Sequence, residues 1–577
     1  MDKFKNLIDV IEHRINGDKG IFFIDDKEDK FISYNELYYK ALKILKELQA
    51  KGLKKGSEVI FQIENNENFL VLFWACLLGG IIPVPVSIGN NKDHKLKLFK
   101  IIDTLNNPSL ITDIKILNSL EKFSTENGLL SYENFLKTKV IILDNILNAT
   151  GSFGSIEIPK GNDIAYIQFT SGTTGDPKGI VLTHENLLSN TNAIVRGTKG
   201  SSEDTALCWM PLAHDMAFIG FHLSPLVANV NQHFIPTSLF IRKPHLWLKK
   251  ASEYKVSVLA CPNFGYKYFL DLFKPQVAVD WDLSSVRVIL NGAEYISSEL
   301  CDLFLEKMSK YGLNRNVMFG VYGAAEACIA ITFPPIGEGL RKINLDRNYL
   351  SINDEIREVK EDDRNAISFV NEGYPVSECQ VRICNENNSI LEEKRVGFIH
   401  IKGKNVTDRY HNNKIETEKY IAKDGWVNTN DLGVMVDGRL IFIGRFKDAI
   451  IYNGKMYHPH HIETIAEEAQ GIELGRIAAC GVPNNESNEH DIIVCLYYKK
   501  KIEDFASISE NLKNLIESRI GLKVKKVIPI KDMPKTTSGK IQRYKLIEKY
   551  LNGEYNDVLI ELEKFQILNN TSFISNL

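Results

Sequence analysis

The feature that most limits what this chain can fold into is a recurring one: a short apolar run that stops at a polar or glycine-bearing segment. Residues 206–212 run into His214-Asp215-Met216, and 256–260 into Pro262-Asn263-Phe264-Gly265. Residues 286–290 run into Asn291-Gly292-Ala293-Glu294, and 318–321 into Tyr322-Gly323-Ala324-Ala325-Glu326. Short apolar runs of this kind are the signature of strands buried on both faces, as in a parallel sheet covered by helices. Ligands of open α/β sheets gather beyond the carboxyl ends of the strands, so the four polar ends predict one cleft. Upstream, the amphipathic stretch 34–51 and the apolar runs 59–62, 110–112 and 140–143 continue the alternation of helix and strand.

A second constraint is the loop Thr170-Ser171-Gly172-Thr173-Thr174-Gly175-Asp176-Pro177-Lys178-Gly179, set between apolar runs that read as two strands, 164–169 and 180–183. Its glycines let backbone N–H groups turn into an anion-binding concavity, its hydroxyls add donors, and Lys178 adds a point charge. That combination suits a polyphosphate. A Walker A loop places its lysine directly before Ser or Thr at a helix start, whereas here Pro177 precedes Lys178 and Gly179 follows it. Thr183 is then placed to cap a helix beginning at His184.

With 577 residues the chain is too long for one core, and about 150 residues per domain implies three or four folding units, some of them subdomains. Seventy basic against 73 acidic residues leave a net charge of −3, which supplies no field for nucleic acid. The nine cysteines include no Cys-x-x-Cys pair and read as reduced thiols of a cytoplasmic protein. Residues 69–88 match a membrane span in length, but Gly79-Gly80 breaks the segment and Pro83 and Pro85 follow. A buried helix and then a buried strand is the expected outcome, with no membrane insertion. His458, His460 and His461 are interrupted by Pro459 and lack companion ligands, so they are read as structural. The segment 333–375 is polar and reads as an irregular excursion, after which strands resume near 381–383, 398–401, 426–427 and 440–443. A boundary is expected at Gly444. The fold class is therefore α/β: a large domain over 1–443, built of α/β subdomains plus a small β-rich one, then a smaller α+β domain over 444–577.

Five segments occur in a fixed order: Tyr166-Ile167-Gln168-Phe169 with the loop through Gly179; Tyr322-Gly323-Ala324-Ala325-Glu326; Thr429-Asn430-Asp431; Gly444-Arg445-Phe446-Lys447-Asp448; and Pro534-Lys535-Thr536-Thr537-Ser538-Gly539-Lys540. Together they resemble the core motifs of the adenylate-forming enzymes, which include acyl-CoA synthetases, peptide-synthetase adenylation domains and luciferases. The resemblance covers nearly the whole chain. Within that superfamily the chain is most similar to the fatty acyl-AMP ligases. The segments that carry this are 209–220, 262–266, 291–294 and 453–459, with Ala325 where many relatives have Thr. The excursion, about 335–375, falls where that family carries its own insertion.

The resemblance implies that ATP and Mg²⁺ are used to join a carboxylate to the α-phosphate with loss of pyrophosphate. Thr170, Ser171, Gly172, Thr173, Thr174, Gly175 and Lys178 would hold the β- and γ-phosphates. Glu326, assisted by Thr174, would hold Mg²⁺. Asn291, Gly292, Ala293, Glu294, Tyr322, Gly323 and Ala325 would frame the adenine. Asp431 would take the ribose hydroxyls, and Arg445 the same ribose or the phosphate. Asn430 stands where relatives usually have Gly, and Asn is among the few side chains that tolerate left-handed backbone. Lys540 is implied as the catalytic lysine on a mobile C-terminal domain, with Lys447 as its hinge. The acid would lie against His214, as gate or polar lip, and Asp215, Met216, Phe218, Ile219, Gly220, Asn263 and Phe264. The family insertion is implied to restrain the small domain and disfavour CoA, so the acyl group goes to the phosphopantetheine arm of an acyl carrier protein. Three alternatives stay open: an acyl-CoA ligase, an amino-acid or aryl-acid adenylating enzyme in which Asp215 pairs with an ammonium, and a non-catalytic ATP-binding scaffold. Retention of Lys178, Glu326, Asp431 and Lys540 argues against the last.

Overall fold

All four apolar runs with polar ends form strands, and the four lie side by side. The structure is a computed structural model that describes residues 4–89, 91–148, 151–171, 176–470, 472–473, 475–484, 489–536 and 539–574. It divides into two compact units, one made of 1–341, 372–381 and 400–429, the other of 342–371, 382–399 and 430–577.

The first unit holds a seven-stranded sheet in the order Met318–Gly320, Val288–Asn291, Val258–Ala260, Thr205–Cys208, Asn231–Phe234, Gly20–Phe23, Lys30–Ser33. Every neighbouring pair is parallel except the last. Parallel alignment puts the four polar ends at one edge. The strands are shorter than the apolar runs that announced them. The run 206–212 contributes only Thr205–Cys208, and Pro211, which has no N–H for a ladder, lies beyond the strand end.

A second, parallel sheet is ordered Ile82–Pro85, Glu58–Gln62, Ser109–Thr112, Val140–Ile142. Pro83 and Pro85 sit on its edge strand, the place where a missing donor is tolerated. The helix Asn66–Leu78 starts at Asn65, whose side chain accepts from the Asn68 N–H at 3.0 Å, and buries every residue from Phe69 to Leu78. A helix buried on all sides needs no polar face, and among the described residues no helix is long and apolar enough to cross a membrane. Ile60, Val84, Phe99 and Leu110 pack together in one core cluster, each burial contributing about 1.5–3 kcal/mol.

The strands flanking the glycine-rich loop, Ile164–Ser171 and Pro177–Thr183, pair antiparallel with Thr170 opposite Lys178. Thr183 caps the helix His184–Gly197 in a reciprocal arrangement with Asn186.

In the second unit the polar excursion proves more regular than its composition suggests. Lys342–Asp346 and Ala366–Val370 form an antiparallel pair in which Ile343 faces Phe369 and Leu345 faces Ile367. Leu345 and Phe369 are fully buried. Alternation in two five-residue strands is easily lost among the charged residues 354–364 that separate them. The C-terminal part builds a three-stranded sheet, Ile477–Pro483, His490–Tyr497 and Val524–Ile530. Helices Pro459–Glu467 and Ile502–Ile520 cover it, with Ile477, Val494, Phe505, Leu512 and Val527 in the core. A bidentate pair, with Arg543 Nη2 2.7 Å from both Glu463 oxygens, ties the helix Arg543–Leu551 to the helix Pro459–Glu467.

Candidate active site

Lys178 leaves the strand Pro177–Thr183 with its ammonium beside the Glu416 carboxylate, over the ring of Tyr420 at 4.5 Å and that of Tyr410 at 5.5 Å. Glu416 and Tyr420 lie four apart on the helix Lys414–Tyr420, so they share one face. Asn413 caps that helix by accepting from the Glu416 N–H at 3.0 Å. Tyr410 reaches the other way and donates its hydroxyl to Glu326 Oε1 at 3.0 Å. Burial of the ring, and then the adjacent Glu326 carboxylate, push the Tyr410 hydroxyl far above its ordinary value, so it stays a donor. Thus Lys178 and Glu326, 148 positions apart, meet through one tyrosine.

The segment around Tyr410 is itself clamped. The His411 N–H donates to the Gly179 carbonyl at 2.6 Å, and His411 Nε2 lies 3.0 Å from Glu58 Oε1. Burial opposes ionisation of Glu58, but its bonds from His411 and from the Asn106 side chain and N–H outweigh that and lower its pKa. Thr170 faces Lys178 across the strand pair. Of the other loop residues, Ser171 is described in its backbone only, and Gly172, Thr173, Thr174 and Gly175 lie outside the described residues.

Glu326 sits in the short 3₁₀ turn Ala325–Ala327. The chain then turns through Cys328 at φ 62°, ψ −64°, where the Ile329 N–H returns to the Ala327 carbonyl at 2.7 Å. A γ-turn of this hand on a residue with a side chain costs on the order of 1–3 kcal/mol and persists only where the surroundings hold it. The Thr407 N–H does part of that holding, bonding the Glu326 carbonyl at 2.8 Å. At Gly323 a Cβ would lie 2.1 Å from the Ile329 carbonyl oxygen, so only glycine fits before this turn.

At the neighbouring strand ends Asn291 is fully buried, donating to Asn263 Oδ1 at 3.2 Å and to Cys301 Sγ at 3.1 Å. The Phe264 N–H donates to Glu294 Oε1 at 3.3 Å. Gly292 is hemmed in by the Val321 carbonyl, 2.7 Å from where its Cβ would stand, and Ala293 adopts a positive φ of 74°. Tyr322 sends its hydroxyl to Thr429 Oγ1 at 3.3 Å, and Ala325 is buried beside it.

Among the residues expected to meet the acid, His214 Nδ1 lies 2.8 Å from Asp215 Oδ1, which also accepts the Met216 N–H at 2.7 Å. Met216 and Ile219 are buried. Phe218 turns inward, its ring 4.3 Å from Phe73 and 5.7 Å from Tyr166, as a wall of the core. Residues Ile219–Leu223 then form a π-helical turn, the wider helix often found at functional sites. A polar chain fixes it: Trp74 Nε1 donates to His222 Nε2 at 2.8 Å, His222 Nδ1 meets Gln232 Oε1 at 2.8 Å, and Gln232 bonds the Tyr34 hydroxyl at 2.7 Å. A Cβ on Gly220 would meet no heavy atom within 4 Å, so this turn leaves open space beside it. Phe264 stands edge-on to Trp209 at 5.6 Å.

In the second unit Asp431 and Arg445 are cross-strand partners, with Asp431 Oδ1 3.8 Å from Arg445 Nε. Asn430 has φ 62°, the left-handed conformation for which Asn is suited. Lys447 lies in the 3₁₀ turn Phe446–Asp448. Lys540 is tied back to Thr536: its N–H bonds Thr536 Oγ1 at 3.1 Å, and its carbonyl accepts the Thr536 N–H at 2.8 Å.

Sequence reasoning missed Glu416, Tyr410, Tyr420 and His411. The only local signal was the i, i+4 spacing of Glu416 and Tyr420, and their partner is Lys178, 238 positions away from Glu416.

A family model described as AMP-binding enzyme matches residues 12–411. The chain is 28% identical over 564 residues to a Caulobacter vibrioides protein provisionally named an acyl-CoA synthetase, covering 96% of each. It is also 28% identical over 574 residues to the medium-chain-fatty-acid–[acyl-carrier-protein] ligase JamA of Moorena producens, again covering 96% of each. Among solved structures, a fatty acyl-adenylate ligase from a study of the Escherichia coli and Legionella pneumophila enzymes superposes with a TM-score of 0.86 at 28% identity. That match covers 96% of this chain and 99% of the other.

Proposed function

The chain belongs to the AMP-binding enzyme family, and from that premise we propose that it activates a fatty acid as its acyl-adenylate, then passes the acyl group to the phosphopantetheine arm of an acyl carrier protein. The observation that carries the reading is the joining of Lys178 to Glu326 through Tyr410. A cation for phosphate oxygens and a carboxylate for a hard metal are thereby linked through a single side chain. Attack of a carboxylate on the α-phosphate brings two anions together, so charge neutralisation is the main catalytic requirement.

In this reading Lys178 and the loop 170–175 hold the β- and γ-phosphates, and Lys540 bridges the acid carboxylate and the α-phosphate. Asp431 accepts the ribose hydroxyls, Arg445 supports the same sugar or phosphate, and the segments 291–294 and 322–325 frame the adenine. Glu326 fits Mg²⁺, because a carboxylate is a hard oxygen donor and the bond it accepts from the Tyr410 hydroxyl fixes its position. Mg²⁺ bound there, with Thr174 assisting, would supply charge neutralisation of the phosphates. The moving part is the segment 444–577, hinged at Lys447, and the insertion 335–375 limits its motion.

The acid lies against His214, Met216, Ile219, Phe264 and the open side of Gly220. The fatty acid is favoured over an amino acid because the Asp215 carboxylate is engaged by His214 and the Met216 N–H. The similarity to JamA, a ligase of medium-chain fatty acids and acyl carrier protein, supports both substrate and acceptor. The test is product analysis after incubation with ATP, a panel of fatty acids, and either CoA or phosphopantetheinylated carrier protein. Acyl-carrier protein as the main product is expected; acyl-CoA as the main product overturns the choice of acceptor.

A further inference from the structure

We infer that Glu416 is the resting counter-ion of Lys178, which the nucleotide must displace, so that this carboxylate sets ATP affinity and the release of pyrophosphate. The inference rests on the reading that Lys178 holds phosphates. Lys178 and Glu416 are only 14% and 22% exposed in their side chains, so their attraction is screened less than that of a surface pair. The Tyr420 and Tyr410 rings flank the ammonium and accept it electrostatically without competing for it as strong hydrogen-bond acceptors.

The helix Lys414–Tyr420 fixes the carboxylate. Asn413 caps its first turn, and the Thr417 hydroxyl bonds the Asn413 carbonyl at 2.8 Å and lies 3.0 Å from the Tyr410 N–H as acceptor. A lysine on a flexible stem is thereby held at one point before ATP arrives. A triphosphate carries more charge than one carboxylate and wins the exchange, but the exchange subtracts the energy of the resting pair. On departure of pyrophosphate, Glu416 recaptures the ammonium and prevents rebinding.

The test uses the full-length protein. ATP affinity is measured by calorimetry, and KM for ATP, KM for the acid and the inhibition constant of pyrophosphate by acid-dependent exchange. In Glu416→Gln the dissociation constant and KM for ATP, and the pyrophosphate inhibition constant, are expected to fall about three- to tenfold, with KM for the acid within about twofold. Glu416→Asp withdraws the carboxylate by one methylene and is expected to move the same constants the same way by less, which preserves the test if the Gln variant does not fold. In a Lys178→Met background Glu416→Gln is expected to have no effect on ATP affinity, which a merely structural glutamate would not satisfy. Unchanged or weakened ATP binding in both Glu416 variants overturns the inference. Tighter ATP binding without pyrophosphate release for any acid leaves the inference standing and defeats the proposed reaction; no ATP binding by the wild type defeats both.

Discussion

In the proposed reaction Lys178, Glu326, Asp431 and Lys540 carry distinct burdens, so their removal has distinct signatures. Lys540→Ala is expected to lower acyl-adenylate formation by at least about a hundredfold while leaving acyl transfer from supplied acyl-adenylate intact. Equal loss of both half-reactions would contradict the role given to Lys540. Asp431→Ala is expected to raise KM for ATP about tenfold, since the charged acceptor proposed for the ribose hydroxyls is removed; an unchanged KM would remove that assignment. At this scale the sequence was legible wherever chemistry is local. Asn430 is a residue type suited to left-handed backbone, and its φ is 62°. What could not be read was Tyr410, because its meaning lies in touching both Lys178 and Glu326, which are distant in the chain.

Elements hold these residues by close contact. At Gly179 a Cβ would lie 2.9 Å from Phe169 Cζ, 3.1 Å from Ile167 Cγ2 and 3.2 Å from His411 Cβ. Gly179→Ala is therefore expected to destabilise the protein by about 1–3 kcal/mol and to weaken ATP binding, read by denaturant melts and calorimetry. In the second unit Glu463 accepts from Arg543 and from the Ala479 N–H. Burial opposes the Arg543 charge, but the adjacent Glu463 carboxylate prevails and raises its pKa above the ordinary value. Glu463→Gln is expected to cost about 2–3 kcal/mol, less than for a fully buried pair because the side chains keep 19% and 13% exposure. Strand and cap positions in the first unit followed from pattern: Thr183 capped the helix it was expected to cap, and the four apolar runs form strands. The hairpin Lys342–Asp346 with Ala366–Val370 did not, since a charged connection outweighed two short alternations.

Across the whole molecule, acid sensitivity follows from histidines buried in neutral form. Burial pushes His184, His222, His233 and His458 down to about 4. In the unfolded chain an imidazole takes its proton near pH ~6.5, so between ~6.5 and ~4 the unfolded state holds more protons and stability is lost as pH falls. The melting temperature is expected to decline steadily over that window; a flat profile from pH ~7 to ~4.5 would contradict the burial of these rings. The α/β class was legible at this scale because parallel strands write themselves as apolar runs. The two compact units were less so, because 342–371 and 382–399 belong with the C-terminal residues through tertiary contacts that no local pattern records. Adenylation of a fatty acid is assigned to the site built on Lys178 and Glu326. Its most direct test is ATP–pyrophosphate exchange over a panel of carboxylic acids: exchange that depends on a fatty acid and is lost in Lys178→Met and Glu326→Gln is predicted, and absence of exchange with every fatty acid would contradict it.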